Sequence, residues 1–281
     1  MKRKNKKILF IISLILITLI GWTLWGNTAL EVNEYEIASD LIPEAFSGFR
    51  IAQVSDLHNA EFGESNKELI TMLSQTDPNI IVITGDLIDS RHTDIEIALD
   101  FCRSAIEIAP VYYITGNHEA RVAGYEDLKT GMEEAGIVIL ENEKVQLERE
   151  GEFITLMGIQ DPSFTTDYLF GDANSVVAAK LSELQSESDG YTVLLSHRPE
   201  LFDVYVASNI DLVFSGHAHG GQFRLPVIGG LFAPNQGFLP KYDAGLFSQG
   251  NITMVVSRGV GNSIIPIRFN NRPEIIVVEL E

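Results

Sequence analysis

From Phe49 onward, short apolar runs alternate with amphipathic stretches. Residues 49–55, 80–84, 111–114, 191–196 and 210–214 are compact apolar runs, too short for helices, and are predicted as buried strands. Between them, 64–74 carries Leu69, Ile70 and Leu73 on one helical face. Thr93-Asp94 caps a run with Ile95, Leu99, Cys102 and Ile106 at helical spacing. Residues 125–135 form a further helix closed by Gly136 in the position of a left-handed cap. Helices are also predicted over 175–184 and 199–207, the latter with proline in its first turn. Residues 30–37, 253–257 and 274–280 read as strands. The runs 137–140, 144–147 and 153–159 follow one another without long helices between them, which predicts a second, more antiparallel sheet. Residues 220–250 are rich in Gly and Pro, with Phe223, Phe232, Phe238 and Tyr242 scattered along them. The pattern predicts an α/β fold with no internal repeat and no linker to a second globular unit.

The N-terminus departs from this pattern. Lys2, Arg3, Lys4, Lys6 and Lys7 precede an 18-residue uncharged stretch, 8–25, which is at the short end for a membrane-spanning helix. Glu31, Glu34 and Glu36 follow it, and Trp22 and Trp25 stand where an outer interfacial belt would lie. The positive-inside rule therefore puts the tail in the cytoplasm and the rest of the chain outside. A cleaved signal peptide begins the same way, but its apolar region is usually shorter, and Asn27-Thr28-Ala29 is a poor cleavage site. The chain thus divides into a basic cytoplasmic tail (1–7), a single-pass anchor (8–25), a linker with the first strand (26–48) and one large domain (49–281).

Charge narrows the range of partners. The 281-residue chain carries −19, and −24 once its five tail cations are set aside. Such a surface repels nucleic acid and anionic lipid at long range, although a metal cluster would invert the field locally. The single cysteine, Cys102, sits in a helical run as a small apolar residue and cannot form an internal disulfide.

The chemistry collects where the strands end. In order, the ends carry Asp56-x-His58, Gly85-Asp86, Gly116-Asn117-His118-Glu119, His197 and Gly216-His217-x-His219. Loops at the carboxyl ends of strands in an open α/β sheet converge on one crevice, and five of the six histidines lie there. Each fragment alone has an ordinary explanation: a turn, a helix start, a core histidine. Their joint occurrence at successive strand ends does not. His92 falls outside the pattern and is expected to face solvent. No P-loop, G-x-S-x-G elbow or CxxC is present, and Gly259-Val260-Gly261 does not open a helix.

This set, from about Phe49 to the C-terminus, resembles the calcineurin-like metallophosphoesterase superfamily. Gly216 to Gln222 with Arg224 and Pro226, and Ser257-Arg258-Gly259 through Pro266, Arg268 and Pro273-Glu274, resemble its membrane-associated bacterial phosphodiesterase branch. The resemblance implies a four-layer α-β-β-α sandwich of two mixed sheets, here preceded by one N-terminal transmembrane helix. It implies one metal held by Asp56, His58, Asp86 and His219, and a second held by Asp86, Asn117, His197 and His217, with Asp86 bridging. A nitrogen and oxygen donor set without thiolate suits Mn, Zn, Fe or Co better than Mg or Ca. Attack by a metal-bridging hydroxide would need no protein nucleophile. His118 would stabilise the transition state or protonate the leaving oxygen, or else act as a structural support to the ligands. Arg198, Arg224 and Arg258 would steady an anionic substrate or support the fold.

The expected function is a membrane-anchored, extracytoplasmic phosphodiesterase acting on a phosphate ester, envelope-borne or lipid-linked, with no nucleic-acid partner. Two alternatives stand beside it: a pyrophosphate hydrolase for a nucleotide-linked or lipid-linked sugar, and a catalytically silent metal-binding scaffold. The nucleotide-linked substrate is cytosolic, against the charge asymmetry. A silent domain has no need of both Asn117 and His118.

Overall fold

The computed structural model describes residues 2–165, 172–185, 190–262 and 265–281. In chain order the strands are β1 (Glu31–Ile37), β2 (Phe49–Val54), β3 (Ile80–Thr84), β4 (Val111–Ile114), β5 (Val138–Ile139), β6 (Glu143–Arg149), β7 (Glu152–Gly158), β8 (Thr192–Leu195) and β9 (Leu212–Ser215). Four two-residue strands follow as two hairpins, β10 (Arg224–Leu225) with β11 (Gly229–Gly230) and β12 (Phe232–Ala233) with β13 (Gly237–Phe238). β14 (Gly245–Gln249), β15 (Ile252–Val256) and β16 (Glu274–Leu280) complete the set. The helices are α1 (Lys2–Thr28), α2 (Lys67–Gln75), α3 (Ile95–Ile106), α4 (Tyr125–Glu134), α5 (Ala173–Gln185) and α6 (Phe202–Ala207).

Two six-stranded mixed sheets form, one ordered β1-β16-β2-β3-β4-β5 and the other β14-β15-β9-β8-β7-β6. Strand alternation explains how they stack. On β2, Ile51 joins a cluster containing Val82, Val193, Phe214 and Val278, which packs the two sheets against each other. Ala52 and Val54 point the other way, into a cluster with Leu69, Leu73, Phe101 and Leu128 of α2, α3 and α4. On the far side of the second sheet, Leu194, Val213 and Met254 meet Val177, Leu181 and Tyr205 of α5 and α6. The result is the four-layer α-β-β-α sandwich.

Two strand expectations change. The 137–140 run does not open the second sheet, because β5 pairs parallel with β4 at the edge of the first. The second sheet is also less antiparallel than its run of strands suggested: β7, β8, β9 and β15 pair in parallel, and only the outer pairs β6/β7 and β14/β15 are antiparallel. The reason is that α5 and α6 provide crossovers between these strands, and crossovers return a strand in the same direction.

The local signals set several ends. The Asp94 side chain accepts the Glu96 N–H at the start of α3, and Gly136 takes φ 91° after α4. Cys102 is buried against α2 and the first sheet, and burial pushes its thiol up to about 12. α1 is 27 residues, about 40 Å at 1.5 Å per residue. Its residues 5–28 are long and apolar enough to cross a membrane.

Candidate metal centre

Asp56, His58, Asp86, Asn117, His118, His197, His217 and His219 all lie just beyond the C-terminal ends of β2, β3, β4, β8 and β9, and all are buried. The loops reach this crevice by unusual backbone. Asp56, His58, Asp86, His217 and His219 have φ of 54°, 48°, 54°, 66° and 47°, the left-handed region that side-chain-bearing residues seldom occupy. Such conformations persist where surrounding structure enforces them, and they cluster at functional sites. Close approach enforces them here. A Cβ on Gly116 would stand 2.2 Å from Asp86 Oδ1, and one on Gly216 would stand 2.4 Å from Asp56 Oδ2.

Two groups of donors share this space. In the first, His58 Nε2 lies 3.2 Å from His219 Nε2 and 3.6 Å from Asp86 Oδ2, and His219 Nε2 lies 3.4 Å from Asp56 Oδ1. In the second, His197 Nε2 is 3.3 Å from Asp86 Oδ2, with His217 completing the set. Asp56, His58 and His219 place one donor atom each within 4.8 Å of one another, as do Asp86, His197 and His217; His58, Asp86 and His118 do the same and link the two groups. Backbone and hydroxyl donors orient the carboxylates. Ser55 Oγ donates to Asp56 Oδ2 at 2.6 Å, the His217 N–H donates to both Asp56 oxygens at 3.1 and 3.2 Å, and the His118 N–H donates to Asp86 Oδ1 at 2.8 Å.

The donors fit a pair of cations. Asn117 Oδ1 is buried and has no hydrogen-bond partner, an arrangement that costs free energy unless something else supplies charge. His197 Nδ1 donates to the Thr84 carbonyl at 2.7 Å, so that it is Nε2 whose lone pair becomes available to a metal once that nitrogen gives up its proton.

Burial and charge divide the titrations. Burial pushes His58 down to about 3 and holds His217 and His219 well below an ordinary imidazole, so these three are neutral, the ligating form. Burial also raises Asp56, to about 6. Asp86 behaves oppositely: burial works against its charge, but His197 beside it holds it well below the usual carboxylate range. His197 reciprocates. Burial alone would lower it, and the Asp86 charge outweighs that and lifts it to about 10.

His118 stands at the rim with its ring edge-on to His58, centroids 4.4 Å apart. The Ser90 N–H donates to its Nδ1 at 3.0 Å, so the neutral ring carries its proton on Nε2. Burial lowers its pKa and keeps it neutral near pH 7. A cavity of about 170 Å³ opens over the cluster, lined by Asp86, Asn117, His118, His217 and His219 together with Arg121, Ser163, Arg198, Pro234 and Asn235.

Of the three arginines weighed from sequence, only Arg198 reaches this cavity. It is buried and held by Asp161 through two hydrogen bonds of 2.6 and 2.9 Å. Arg224 bonds Asp243 and the Gly220 carbonyl, and Arg258 pairs with Glu31 and Glu274, so both brace the fold. His92 is exposed, as expected. Sequence reasoning passed over four participants. Buried Glu119 accepts N–H bonds from Gly116, Asp86 and Ile88 at 2.8, 3.0 and 3.3 Å and so ties two ligand loops together. Asn235 Oδ1 is 3.3 Å from His217 Nε2, Glu200 is 4.0 Å from the same atom, and Asp161 fixes Arg198. Glu119 alone carried a signal, its place directly after Asn117-His118.

Comparison with known proteins agrees with this geometry. The sequence model of the family described as calcineurin-like phosphoesterase matches residues 49–221. The chain is 30% identical over 257 residues to the uncharacterised metallophosphoesterase YkuE of Bacillus subtilis, covering 90% of this chain and 86% of that protein. It is 29% identical over 237 residues to the phosphodiesterase YaeI of Escherichia coli, covering 83% and 82%. Among solved structures, TT1561 of Thermus thermophilus superposes with a TM-score of 0.52 at 13% identity, covering 76% of this chain and 91% of that one, a likeness of fold.

Proposed function

We propose that this chain, which belongs to the calcineurin-like phosphoesterase family and is a phosphoric-ester hydrolase, is a phosphodiesterase anchored by α1 and working outside the cytoplasmic membrane. The observation that carries the reading is the buried cluster itself: Asn117 Oδ1 without a hydrogen-bond partner, beside a carboxylate, Asp86, that faces His58 at 3.6 Å and His197 at 3.3 Å. Asp56, His58, Asp86 and His219 would hold one divalent ion, and Asp86, Asn117, His197 and His217 a second, chosen among Mn, Zn, Fe and Co by donor type. Such a pair would supply Lewis acidity toward phosphate oxygens and a source of nucleophilic water at neutral pH.

The chain's own groups do the rest. His118 Nε2–H, its tautomer set by the Ser90 N–H, points a donor at the phosphoryl or leaving oxygen. Arg198, immobilised by Asp161, and Arg121 give the cavity positive charge to orient the ester. The basic residues in the first two turns of α1 support placement of the domain outside the membrane.

The test is turnover. Detergent-solubilised full-length protein loaded with Mn, Zn, Fe or Co is assayed on aryl phosphodiesters and monoesters, then on envelope phosphodiesters and lipid pyrophosphates. Preference for diesters supports the reading. Preference for pyrophosphates would replace it with the alternative substrate class, and two bound ions without turnover would make the chain a silent scaffold.

A further inference from the structure

Outside α1, eleven large apolar side chains are exposed among the described residues, and seven of them fall on three neighbouring segments. Val227 (108% exposed) and Ile228 (59%) form the tip of the β10/β11 hairpin. Phe232, Phe238 (84%) and Leu239 (64%) belong to the β12/β13 hairpin, and Ile265 and Ile267 lie just before Arg268. Exposed apolar groups scattered singly need no explanation, but a concentration of this kind marks a contact surface.

The position of these loops relative to α1 identifies what they touch. The Asn27 side chain donates to the Arg268 carbonyl at 2.8 Å and accepts the Arg268 N–H at 2.7 Å. The Arg272 guanidinium lies 4.9 Å over the Trp25 ring and donates to the Ala29 carbonyl at 2.8 Å. From there contacts run into the hairpins: Gln222 Nε2 donates to the Ile265 and Ile267 carbonyls at 2.8 Å, and the Arg224 N–H donates to the Phe269 carbonyl at 2.9 Å. Tryptophans near the end of a spanning helix sit at headgroup level. Asn27 is two residues past Trp25, about 3 Å of helix rise. The Ile265 to Phe269 segment is therefore held within a few ångströms of the lipid surface, with both hairpins beside it.

The same loops border the site. Pro234 and Asn235, in the turn joining β12 to β13, line the cavity, and Asn235 touches His217. On the other flank, Arg268 donates through Nη1 to the Arg258 carbonyl at 2.8 Å and through Nη2 to the Gly261 carbonyl, while the Gly261 N–H donates to the Asp56 carbonyl at 2.7 Å.

We propose that Val227, Ile228, Phe238, Leu239 and Ile267 form an apolar collar seated in the outer leaflet beside the exit of α1, so that the cavity takes its phosphoester from membrane lipids. The substrate half rests on the phosphodiesterase reading, and the seating does not. Rigid coupling of Asn27 to Arg268 keeps the collar in the bilayer surface and the donor cluster just above it. An amphiphilic ester then reaches the cavity with its acyl chains still in lipid.

The test has two arms, both on full-length protein reconstituted in vesicles of phosphatidylethanolamine and phosphatidylglycerol. Cys102 is buried, so nitroxide labels report on introduced cysteines. Labels at Val227→Cys and Phe238→Cys are expected to collide preferentially with lipid-soluble oxygen, and control labels at Leu41→Cys and Phe153→Cys with a water-soluble relaxant. Water-exposed collar labels would overturn the seating, including the case in which another protein covers this face. In the second arm, Val227→Ser with Phe238→Ser is expected to slow hydrolysis of a diacylglycerol phosphodiester at least about tenfold, the scale of losing lipid contact for two apolar side chains, and to leave a soluble aryl diester unaffected. Equal losses on both esters would overturn the lipid-substrate half. Wild-type protein that turns over neither ester would instead refute the phosphodiesterase reading, and the labels would still decide the seating.

Discussion

Replacing Asp86 with asparagine isolates the charge at the centre of the cluster. The change keeps side-chain size, and an amide oxygen can still accept the His118 N–H that now reaches Oδ1 at 2.8 Å. It removes the carboxylate that faces His58 of one group at 3.6 Å and His197 of the other at 3.3 Å. The magnitude follows from the His197 pair: at 3.3 Å and an effective dielectric constant of about 20, the attraction is about 5 kcal/mol. Burial opposes the charged ring, and this attraction, with smaller contributions from Asp56 and Asp161, lifts the imidazole to about 10. A divalent ion in either group would lose an attraction at least as large in kind. Outer-sphere partners of metal ligands are commonly worth about 10- to 100-fold in affinity, so a shared ligand should cost at least about 100-fold at each site. Metal content after dialysis, measured by mass spectrometry, should fall at both sites together, and aryl diester turnover should fall with it. In metal-free protein the His197 titration, followed by NMR, should drop from about 10 toward or below the ordinary value. Two tightly retained ions in the variant would refute the bridging assignment, whatever the turnover.

Other expectations follow from the same geometry. His118→Ala should keep both metals yet turn over about 10²- to 10⁴-fold more slowly, the range for loss of a positioned proton donor, and unchanged turnover would remove His118 from the reaction. Gly116→Ala would set a Cβ 2.2 Å from Asp86 Oδ1, so we expect about 1–3 kcal/mol of destabilisation in urea titration together with loss of metal; wild-type behaviour would contradict the close approach of these loops. Metal uptake should depend on pH with a defined sign. His197 is protonated below about 10, and its proton must leave before the ring can ligate, so uptake strengthens as pH rises toward 10. It weakens as pH falls, more steeply once Asp56 protonates below about 6. Calorimetry near pH 7 in buffers of different ionisation enthalpy should show proton release on binding, and its absence would refute the ion pair.

The elements that could be read from the chain were those whose signal is local. The apolar runs of β3 and β4 were bounded correctly at both ends, as was α3 with Asp94 at its N-terminus, because strand length, caps and helical spacing act over a few residues. The pairing of β5 with β4 and the parallel centre of the second sheet were misjudged, because which strand lies beside which is decided by crossovers and by the packing of α5 and α6. The candidate site divides in the same way. Its donors could be named because they sit at strand ends, where topology alone makes loops converge. Glu119 was named within its motif but given no role, and Asp161 and Glu200 escaped notice, because an acidic side chain that accepts backbone N–H bonds or clamps an arginine looks, in sequence, like any surface carboxylate.

The backbone of the donor loops carries a further consequence for how the fold and the centre depend on each other. Five donors hold left-handed φ values, and conformations of this kind cost on the order of 1–3 kcal/mol each outside glycine. Asp and His enter this region more readily than most side chains, but their own preference does not hold them there. They are enforced by contacts between loops: the Glu119 carboxylate bonded to Asp86 and Gly116, the His217 N–H on Asp56, and the glycines that admit a neighbour where a Cβ would collide. The two sandwiched sheets thus supply a rigid frame, and the loops spend part of its stability on aiming buried imidazoles and carboxylates at one another. Without cations this arrangement leaves Asn117 Oδ1 unsatisfied, so the frame tolerates a buried acceptor that bound positive charge would relieve.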